Sequence, residues 1–174
     1  MIKAIVYKSN SGFTKEYALM LSKKLTLPVY DIKEANKSLC KNDEIIYMGW
    51  IMAGNVQGLN KAKKYVIKAI VAVGMTYDEK QEKEIQEKVK AYHSELVINI
   101  RGGFYLDRLH GLYKFMMKSM GKVLGKVLRE KENKTEEDKQ TLLMIEQGAS
   151  YVDEANLDRV ITWYNNRGEN KWER

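Results

Sequence analysis

Short apolar runs alternate with helical patterns along this chain, and this alternation constrains its fold more than any other feature of the sequence. Five runs have the length and composition of β-strands, namely residues 2–7, 29–32, 44–49, 67–73 and 96–100. Helical patterns lie between them, including residues 14–25 and the strongly charged residues 78–93. Continuous apolar strands separated by helices indicate a parallel sheet that is covered by helices on both faces.

The winding of such a sheet predicts where a ligand binds. In doubly wound sheets, ligands lie outside the carboxyl ends of the strands, where the winding direction reverses between the first and third strands. The length of 174 residues suits a single domain. We expect an insertion at about residues 101–150, in which the densely charged residues 129–139 are a flexible connector before a helix at 141–147. A closing helix at about 153–166 and a loose polar tail to residue 174 follow.

A segment rich in hydroxyl groups, Ser9-Asn10-Ser11-Gly12-Phe13-Thr14, follows the first strand and opens the first helix. Backbone N–H groups at a helix N-terminus stabilise an anion, and the hydroxyl side chains add donors without adding a cation. The segment therefore predicts a cradle for a phosphate monoester. It lacks the ATP and GTP loop, Gly-x-x-x-x-Gly-Lys-Ser/Thr, and the dinucleotide loop, Gly-x-Gly-x-x-Gly. In the alternative interpretation, it is an ordinary polar turn in which Ser11 or Thr14 caps the helix.

Two further loops at the same edge carry candidate contacts to a ring. The third strand leads into the glycine-flanked residues 49–55, where Trp50 is the candidate to stack on a planar group. The fourth strand leads into residues 74–78, where Tyr77 is the candidate to cover the other face. Each has a structural alternative, because Trp50 can fill the edge of the core and Tyr77 can pack locally beside the cap of the next helix.

The order and composition of these loops resemble those of the flavodoxin-domain family, whose phosphate loop has the form Thr/Ser-x-Thr/Ser-Gly-x-Thr. The resemblance covers about residues 1–100. It implies a flavodoxin-like α/β fold with a doubly wound, five-stranded parallel sheet of order 2-1-3-4-5, helices on both faces and a helical insertion after strand 5. It also implies FMN as the cofactor. The residues that it assigns to FMN are Ser9, Asn10, Ser11, Gly12, Phe13, Thr14, Trp50, Ile51, Met52, Ala53, Gly54, Asn55, Met75, Thr76, Tyr77, Gly102, Gly103 and Phe104.

A second resemblance begins after the fifth strand, at Arg101-Gly102-Gly103-Phe104-Tyr105-Leu106-Asp107-Arg108 and the methionine-rich residues 113–121. These segments are similar to the insertion of the menaquinone-dependent protoporphyrinogen dehydrogenases, haem-biosynthesis enzymes in which an FMN domain passes electrons from a porphyrinogen towards a membrane quinone. The resemblance implies an oxidoreductase whose flavin performs the chemistry without a catalytic acid or base. It also implies that Arg101, Tyr105 and Arg108 bind a planar, carboxylate-bearing substrate, since guanidinium groups bind carboxylates in a two-pronged manner.

The insertion also contains a basic amphipathic helix. Its apolar stripe consists of Leu109, Leu112, Tyr113, Met116, Met120, Val123, Leu124 and Val127. A lysine row recurs at every fourth position, namely Lys114, Lys118, Lys122 and Lys126. Such a helix lies on an anionic membrane surface or presents its apolar face to a partner. In the alternative interpretation, the stripe packs on the body of the protein and the lysines are solvated.

The charge balance bears on the choice between functions. A formal net charge of +7 and a pI near 9.3 favour anionic partners. Beside the FMN oxidoreductase, we consider a flavodoxin-type electron carrier that docks to redox proteins through its lysines, although comparable carriers are acidic. Nucleic-acid binding is the least favoured function, because lysines alternate with glutamates along most helices and no recognition motif is present.

Metal chemistry and membrane insertion are not expected. Cys40 is the single cysteine, so no internal disulfide forms, and neither His93 nor His110 has further ligands at the spacing of zinc or iron–sulfur sites. No apolar run approaches the roughly 20 residues that span a bilayer, and the first strand does not resemble a secretory signal. We expect a cytoplasmic protein with small-molecule or protein redox partners and peripheral contact with the inner membrane face through the lysine row.

Overall fold

A parallel β-sheet forms the centre of the computed structural model, which describes residues 1–75, 77 and 79–169. Its five parallel strands are β1 (Ala4–Lys8), β2 (Val29–Asp31), β3 (Glu44–Met52), β5 (Val66–Gly74) and β6 (Leu96–Arg101), in the spatial order β2-β1-β3-β5-β6. A short strand, β4 (Asn55–Val56), pairs antiparallel with the end of β3. Without β4 the order is 2-1-3-4-5, which confirms the predicted doubly wound fold.

Helices cover both faces of this sheet. They are α1 (Phe13–Leu25), α2 (Leu59–Ala62), α3 (Glu79–Val89), α4 (Gly111–Glu130), α5 (Glu136–Gln147) and α6 (Asp158–Glu169). Side chains of α1 and α6 pack against one face, while those of α2 and α3 pack against the other. A small second sheet joins β7 (Gly103–Phe104) to β8 (Ala149–Ser150), and it brings the end of the insertion back to the point where the insertion begins.

The strands are buried because their side chains alternate between the two helical layers. On β3, Ile45 and Tyr47 lie in the core on one side of the sheet, whereas Ile46 and Met48 lie in the core on the other. All four side chains are fully buried. Successive side chains of a strand point to opposite faces of the sheet, so apolar residues are needed at every position to fill the core on each face. The strands therefore appear in the sequence as continuous apolar runs.

The third strand is longer than predicted. The sequence predicts an end at residue 49, whereas β3 continues to Met52 and turns back into β4 through Ala53 and Gly54. Both turn residues have positive φ angles, 47° and 69°, as the central residues of a type I′ hairpin turn require. Trp50 consequently lies on a strand and not in a loop.

The prediction of a flexible connector is wrong for most of its length. α4 continues to Glu130 and α5 begins at Glu136, so only residues 131–135 connect them. A capping box starts α5, because the Thr135 hydroxyl accepts the Asp138 N–H at 3.1 Å and the Asp138 carboxylate accepts the Thr135 N–H at 2.8 Å. This pair satisfies backbone donors at the helix start and explains why so polar a segment is helical.

A buried tyrosine joins the closing segment to the sheet. The sequence predicts one helix from about residue 153, but the chain first forms a 3-10 turn at Glu154–Leu157 and then enters α6. The Tyr17 hydroxyl donates to the Arg101 carbonyl at 2.6 Å and accepts from the Asn156 amide at 2.6 Å. Burial has the largest effect on the pKa of Tyr17 and raises it above its ordinary value. The predicted loose tail begins after residue 166, but α6 continues to Glu169, and residues 170–174 lie outside the described part of the chain.

Candidate functional site

A cavity of about 310 Å³ lies at the carboxyl ends of β1, β3, β5 and β6. We call it the first cavity, and it occupies the edge at which doubly wound sheets bind ligands. Ser11 comes from the loop before α1, and Phe13 and Thr14 come from its first turn. The ends of β3 and β5 and the segment after β6 contribute residues 50–53, 73–75 and 103–105. Loops that are far apart in the sequence therefore meet at one site.

A glycine shapes the loop at the start of α1. Gly12 has a φ of +98°, which glycine adopts readily, and its N–H donates to the Ser9 hydroxyl at 3.1 Å. The Glu16 N–H makes the bond to the Gly12 carbonyl at 2.9 Å, so the N–H groups of residues 13–15 have no acceptor within the helix. Two hydroxyls of the same loop line the cavity beside these donors. The arrangement suits a phosphate, with Ser9 closing the turn.

Asn10 connects this loop to the insertion. Its side-chain oxygen accepts a hydrogen bond from the His110 N–H at 3.1 Å. His110 is the N-cap of α4, which begins at Gly111. The side chain of Asn10 thus holds the loop to the start of α4, a role for which the sequence offered no signal.

Trp50 lines the first cavity and carries a buried hydrogen-bond donor. Its ring meets the edge of the Tyr113 ring, with centroids 5.0 Å apart and planes at 80°. The indole Nε1 is buried, and it has no hydrogen-bond acceptor among the residues that the structure describes. A buried donor without a partner costs about 1–3 kcal/mol. A ligand acceptor at this position would therefore stabilise the site.

The insertion helix forms one wall of the first cavity, which the sequence analysis did not predict. Four side chains of α4 line the cavity, together with Leu109 just before the helix: Tyr113, Met116, Met117 and Met120. Tyr113, Met116 and Met120 belong to the predicted apolar stripe, whereas Met117 does not. The stripe was assigned to a membrane, a partner or the body of the protein, and not to a ligand.

The outer part of this stripe faces solvent. Leu112, Val123 and Val127 expose 70%, 66% and 58% of their surface, and Phe115 beside them exposes 72%. The interpretation in which the whole stripe packs on the body is therefore wrong, since only its inner edge does so. None of the described helices is long and apolar enough to cross a membrane.

Several residues assigned to FMN lie away from the wall of the first cavity. Gly54 and Asn55 form the turn between β3 and β4, and Tyr77 lines a separate, second cavity. Gly102 packs closely on the sheet, since an added Cβ would lie 2.7 Å from a methyl carbon of β5. Thr76 lies outside the described residues.

The two arginines predicted to bind substrate do not lie together. The Arg108 guanidinium is 4.7 Å from the ring centroid of Tyr105, which lines the first cavity, and 3.4 Å from the Glu16 carboxylate. The Arg101 guanidinium lies 3.3 Å from the ring centroid of Tyr151 and lines the second cavity. Of the three residues predicted to bind substrate, Tyr105 lines the first cavity, Arg108 lies beside Tyr105, and Arg101 lies at the second cavity.

The first cavity is neutral and mostly apolar. The described residues that line it include no charged side chain. Across the described chain, no group of three or more His, Cys, Asp or Glu residues could hold a metal ion. A ligand in the cavity is held by apolar and aromatic contacts over most of its surface, with polar groups at the helix start and at Trp50. This combination suits a planar ring system that carries a phosphate.

Comparison with known proteins agrees with this description. Residues 4–130 match a family model described as flavodoxin domain. The matched range runs from β1 to the end of α4 and contains all the described residues that line the first cavity. α5, β8 and α6 lie beyond it. No curated protein matches the chain.

Proposed function

The chain belongs to the flavodoxin-domain family, and on this premise we propose that it is an FMN-binding redox protein. The observation that carries the proposal is the first cavity, where the start of α1 meets the carboxyl ends of β3 and β5 and the segment after β6. When bound, FMN supplies electron or hydride transfer. The residues of the protein then determine where the ring lies, how much water reaches it and which partner can approach it.

The residues of the first cavity fit a flavin phosphate. The hydroxyls of Ser11 and Thr14 and the N–H groups of the first turn of α1 are donors for the phosphate. The buried Trp50 Nε1 is a donor for a carbonyl or ring nitrogen of the flavin. The wall formed by Tyr113 and the methionines of α4 excludes water from the ring.

Reconstitution of the purified protein with FMN and with riboflavin tests the proposal, with affinity measured by quenching of flavin fluorescence. Ser11→Ala and Thr14→Val each remove a hydroxyl donor to a charged group, which contributes about 1.5–3 kcal/mol, so each should weaken FMN binding by about tenfold or more. Riboflavin binding should hardly change, because riboflavin has no phosphate.

Ser119→Ala, which alters an exposed serine of α4, is the matched control and should leave both affinities unchanged. Wild-type protein that cannot bind FMN contradicts the proposal. An equal loss of FMN and riboflavin affinity in the two variants contradicts the assignment of the phosphate.

More specifically, we propose an oxidoreductase that takes reducing equivalents from a planar, carboxylate-bearing substrate such as a porphyrinogen and passes them to a quinone. Arg108 supports this, because its guanidinium lies beside the Tyr105 ring at the first cavity. Its ion pair with Glu16 is about half exposed. Because exposed ion pairs contribute little to the free energy of folding, a substrate carboxylate can replace Glu16 as the partner of Arg108. Arg101 gives no support, since it lines the second cavity.

Anaerobic assays with protoporphyrinogen and menaquinone test this substrate class. Arg108→Gln should raise KM by about tenfold, the loss of one charge-assisted contact, while FMN affinity is unchanged. Arg129→Gln, which breaks a comparably exposed pair with Glu146, is the control and should leave KM unchanged. An unaltered KM in Arg108→Gln removes this arginine from the substrate site.

A flavodoxin-type electron carrier is the second candidate, and the exposed lysine row of α4 is the observation that favours it. Docking to an acidic redox protein through these lysines predicts an affinity that falls as salt rises. Reconstituted protein with a very low midpoint potential and no turnover of porphyrinogen would favour the carrier over the oxidoreductase.

We also propose that α4 contacts an anionic membrane surface. The helix exposes Leu112, Phe115, Val123 and Val127 on its outer side, and its lysine row is exposed along one flank. Apolar side chains enter the interfacial region of a bilayer while lysines pair with anionic headgroups. The inner side of the same helix is a wall of the first cavity, so this contact would bring the cavity close to a membrane-dissolved quinone.

A further inference from the structure

The second cavity, of about 660 Å³, lies between the end of β6, α5 and the segment that enters α6. It shares no lining residue with the first cavity. Its volume falls within the range of about 300–1,000 Å³ that small-molecule sites occupy. Most of its walls come from residues beyond position 130, where the match to the flavodoxin domain ends. The cavity is therefore a feature of this chain's own C-terminal part.

Arg101 gives this cavity an uncompensated positive charge. Each of the other described arginines pairs with a carboxylate, in the pairs Arg108–Glu16, Arg129–Glu146, Arg159–Glu82 and Arg167–Glu95. Arg101 takes part in no ion pair among the described residues, and its buried Nε has no hydrogen-bond acceptor there. A buried donor on a charged group is costly to leave without a partner.

The guanidinium of Arg101 is held in place although it has no carboxylate partner. It lies 3.3 Å from the ring centroid of Tyr151. The Tyr151 N–H donates to the Gly102 carbonyl at 2.8 Å, which fixes this ring next to the end of β6. A stacked arginine with its donors free is already arranged for the two-pronged binding of an acid group.

The other arginine at this cavity contributes no free charge. Arg159 makes two hydrogen bonds of 2.9 Å with the Glu82 carboxylate. The described lining residues therefore carry a single uncompensated charge, and no carboxylate is among them. One positive charge is matched by a ligand with one negative charge, which favours a carboxylate over a phosphate dianion.

The remaining walls indicate an organic ligand. Ile100 and Met144 are apolar, and Thr141 and Asn156 place polar groups among them. Such mixed walls bury an apolar body and orient it through a few hydrogen bonds. We propose that the second cavity binds a small organic monocarboxylate, whose acid group pairs with Arg101 and whose body lies against Ile100 and Met144.

The test uses the full chain and three probes: 2-naphthoate, its neutral analogue 2-naphthamide, and inorganic phosphate. Binding is followed by the amide NMR signals of Tyr151 and Asn156, while the Trp50 indole signal reports on the first cavity. We expect saturable shifts at Tyr151 and Asn156 with 2-naphthoate, and much weaker binding of the amide and of phosphate. Because the experiment needs no flavin, its outcome is independent of the proposal that the protein binds FMN.

Arg101→Gln should weaken 2-naphthoate binding by about tenfold or more, since a charge-assisted pair is lost, and Arg101→Lys should restore part of the affinity. The lysine variant keeps the test decisive if the glutamine variant unfolds. Arg167→Gln, at a paired and distant arginine, is the matched control and should bind like the wild type. Equal binding of acid and amide, unchanged affinity in both Arg101 variants, binding of phosphate alone, or shifts confined to Trp50 would overturn the proposal.

Discussion

The buried hydroxyl of Tyr17 connects three segments of the chain. It donates to the Arg101 carbonyl at the end of β6 and accepts from the Asn156 side chain and, at 3.3 Å, from the Asp153 N–H. These bonds hold α1, β6 and the segment before α6 in one arrangement. Both cavities depend on that arrangement, because α1 borders the first cavity and Arg101 and Asn156 border the second.

We predict that Tyr17→Phe lowers the free energy of unfolding by about 1–3 kcal/mol, because three partly buried hydrogen bonds of this hydroxyl are lost. Urea unfolding followed by circular dichroism measures the change. Tyr30→Phe, at a partly buried tyrosine of β2, is the control and should change stability by less than about 0.5 kcal/mol. Equal stability of Tyr17→Phe and the wild type would contradict the role given to this hydroxyl.

Glu82 is a second buried polar group with a defined set of partners. Its carboxylate accepts two bonds of 2.9 Å from Arg159 and one of 2.8 Å from the Asn99 N–H. Burial, the largest influence, raises the pKa of Glu82, but the bonds from Arg159 and Asn99 together outweigh it. The pKa of Glu82 therefore lies below its ordinary value in the folded protein.

A carboxylate with a lowered pKa stabilises the fold above its unfolded pKa of about 4.3, and this contribution is lost as the pH falls through the folded pKa. We predict that Glu82→Gln lowers the free energy of unfolding by about 1.5–3 kcal/mol at pH 7. The difference from the wild type should shrink at pH 3. Urea titrations at both pH values measure it, with the exposed Glu87→Gln as control. A difference of the same size at both pH values would contradict the prediction.

At the scale of elements, α4 has two apolar sides. Tyr113 and Met117 on the inner side line the first cavity, whereas Phe115 and Val123 on the outer side are exposed to solvent. Exposed apolar side chains that are contiguous on one helix are uncommon on a monomeric protein without a partner. The lysine row next to them places positive charge beside this exposed apolar side.

We predict that the protein sediments with vesicles that contain phosphatidylglycerol and stays in solution with pure phosphatidylcholine vesicles. Lys118→Gln with Lys122→Gln should weaken binding by about tenfold or more, since each lysine near such a surface contributes about 1 kcal/mol. Phe115→Ser with Val123→Ser should weaken it through lost apolar contact. Lys41→Gln with Lys61→Gln, at exposed lysines elsewhere, is the control. Equal binding of the two lysine pairs would refute the role of α4.

The elements that could be predicted are those whose pattern is repeated along several residues. β3 and β5 were predictable because both of their faces are apolar. The hairpin at Ala53 and Gly54 was not, because an alanine with positive φ gives no local signal of the kind that Asn-Gly gives. The start of α5 was missed because the capping box of Thr135 uses Asp138, whereas the usual box has Glu or Gln at that position.

At the scale of the whole molecule, the proposed binding of FMN would be coupled to folding. The first cavity is assembled from loops that only the complete sheet brings together, so a ligand bound there stabilises the folded state alone. We predict that FMN at 100 times its Kd raises the free energy of unfolding by about 2.7 kcal/mol. Thermal and urea unfolding with and without FMN measure the shift, and a shift that does not grow with FMN concentration would contradict it.

The position of the site was predictable at this scale, and its full lining was not. Ser11 and Thr14 follow β1, and Trp50 lies near the carboxyl end of β3, so their convergence follows from the topology. The wall provided by α4 and the separation of Arg101 from Arg108 depend on how the insertion packs. That packing is tertiary, and no repeated pattern in the sequence specifies it.

The bond between the Asn10 side chain and the His110 N–H has a consequence for communication across the molecule. If the proposed phosphate binds the loop after β1, this bond would also restrain the start of α4, and a partner bound to the outer side of α4 would act on the loop through it. Such coupling is reciprocal. If a partner on the outer side of α4 changes the affinity for the cofactor by some factor, the bound cofactor changes the affinity for that partner by the same factor. If FMN binds as proposed, a partner on the outer side of α4 would therefore have different affinities for the FMN-free and the FMN-bound protein.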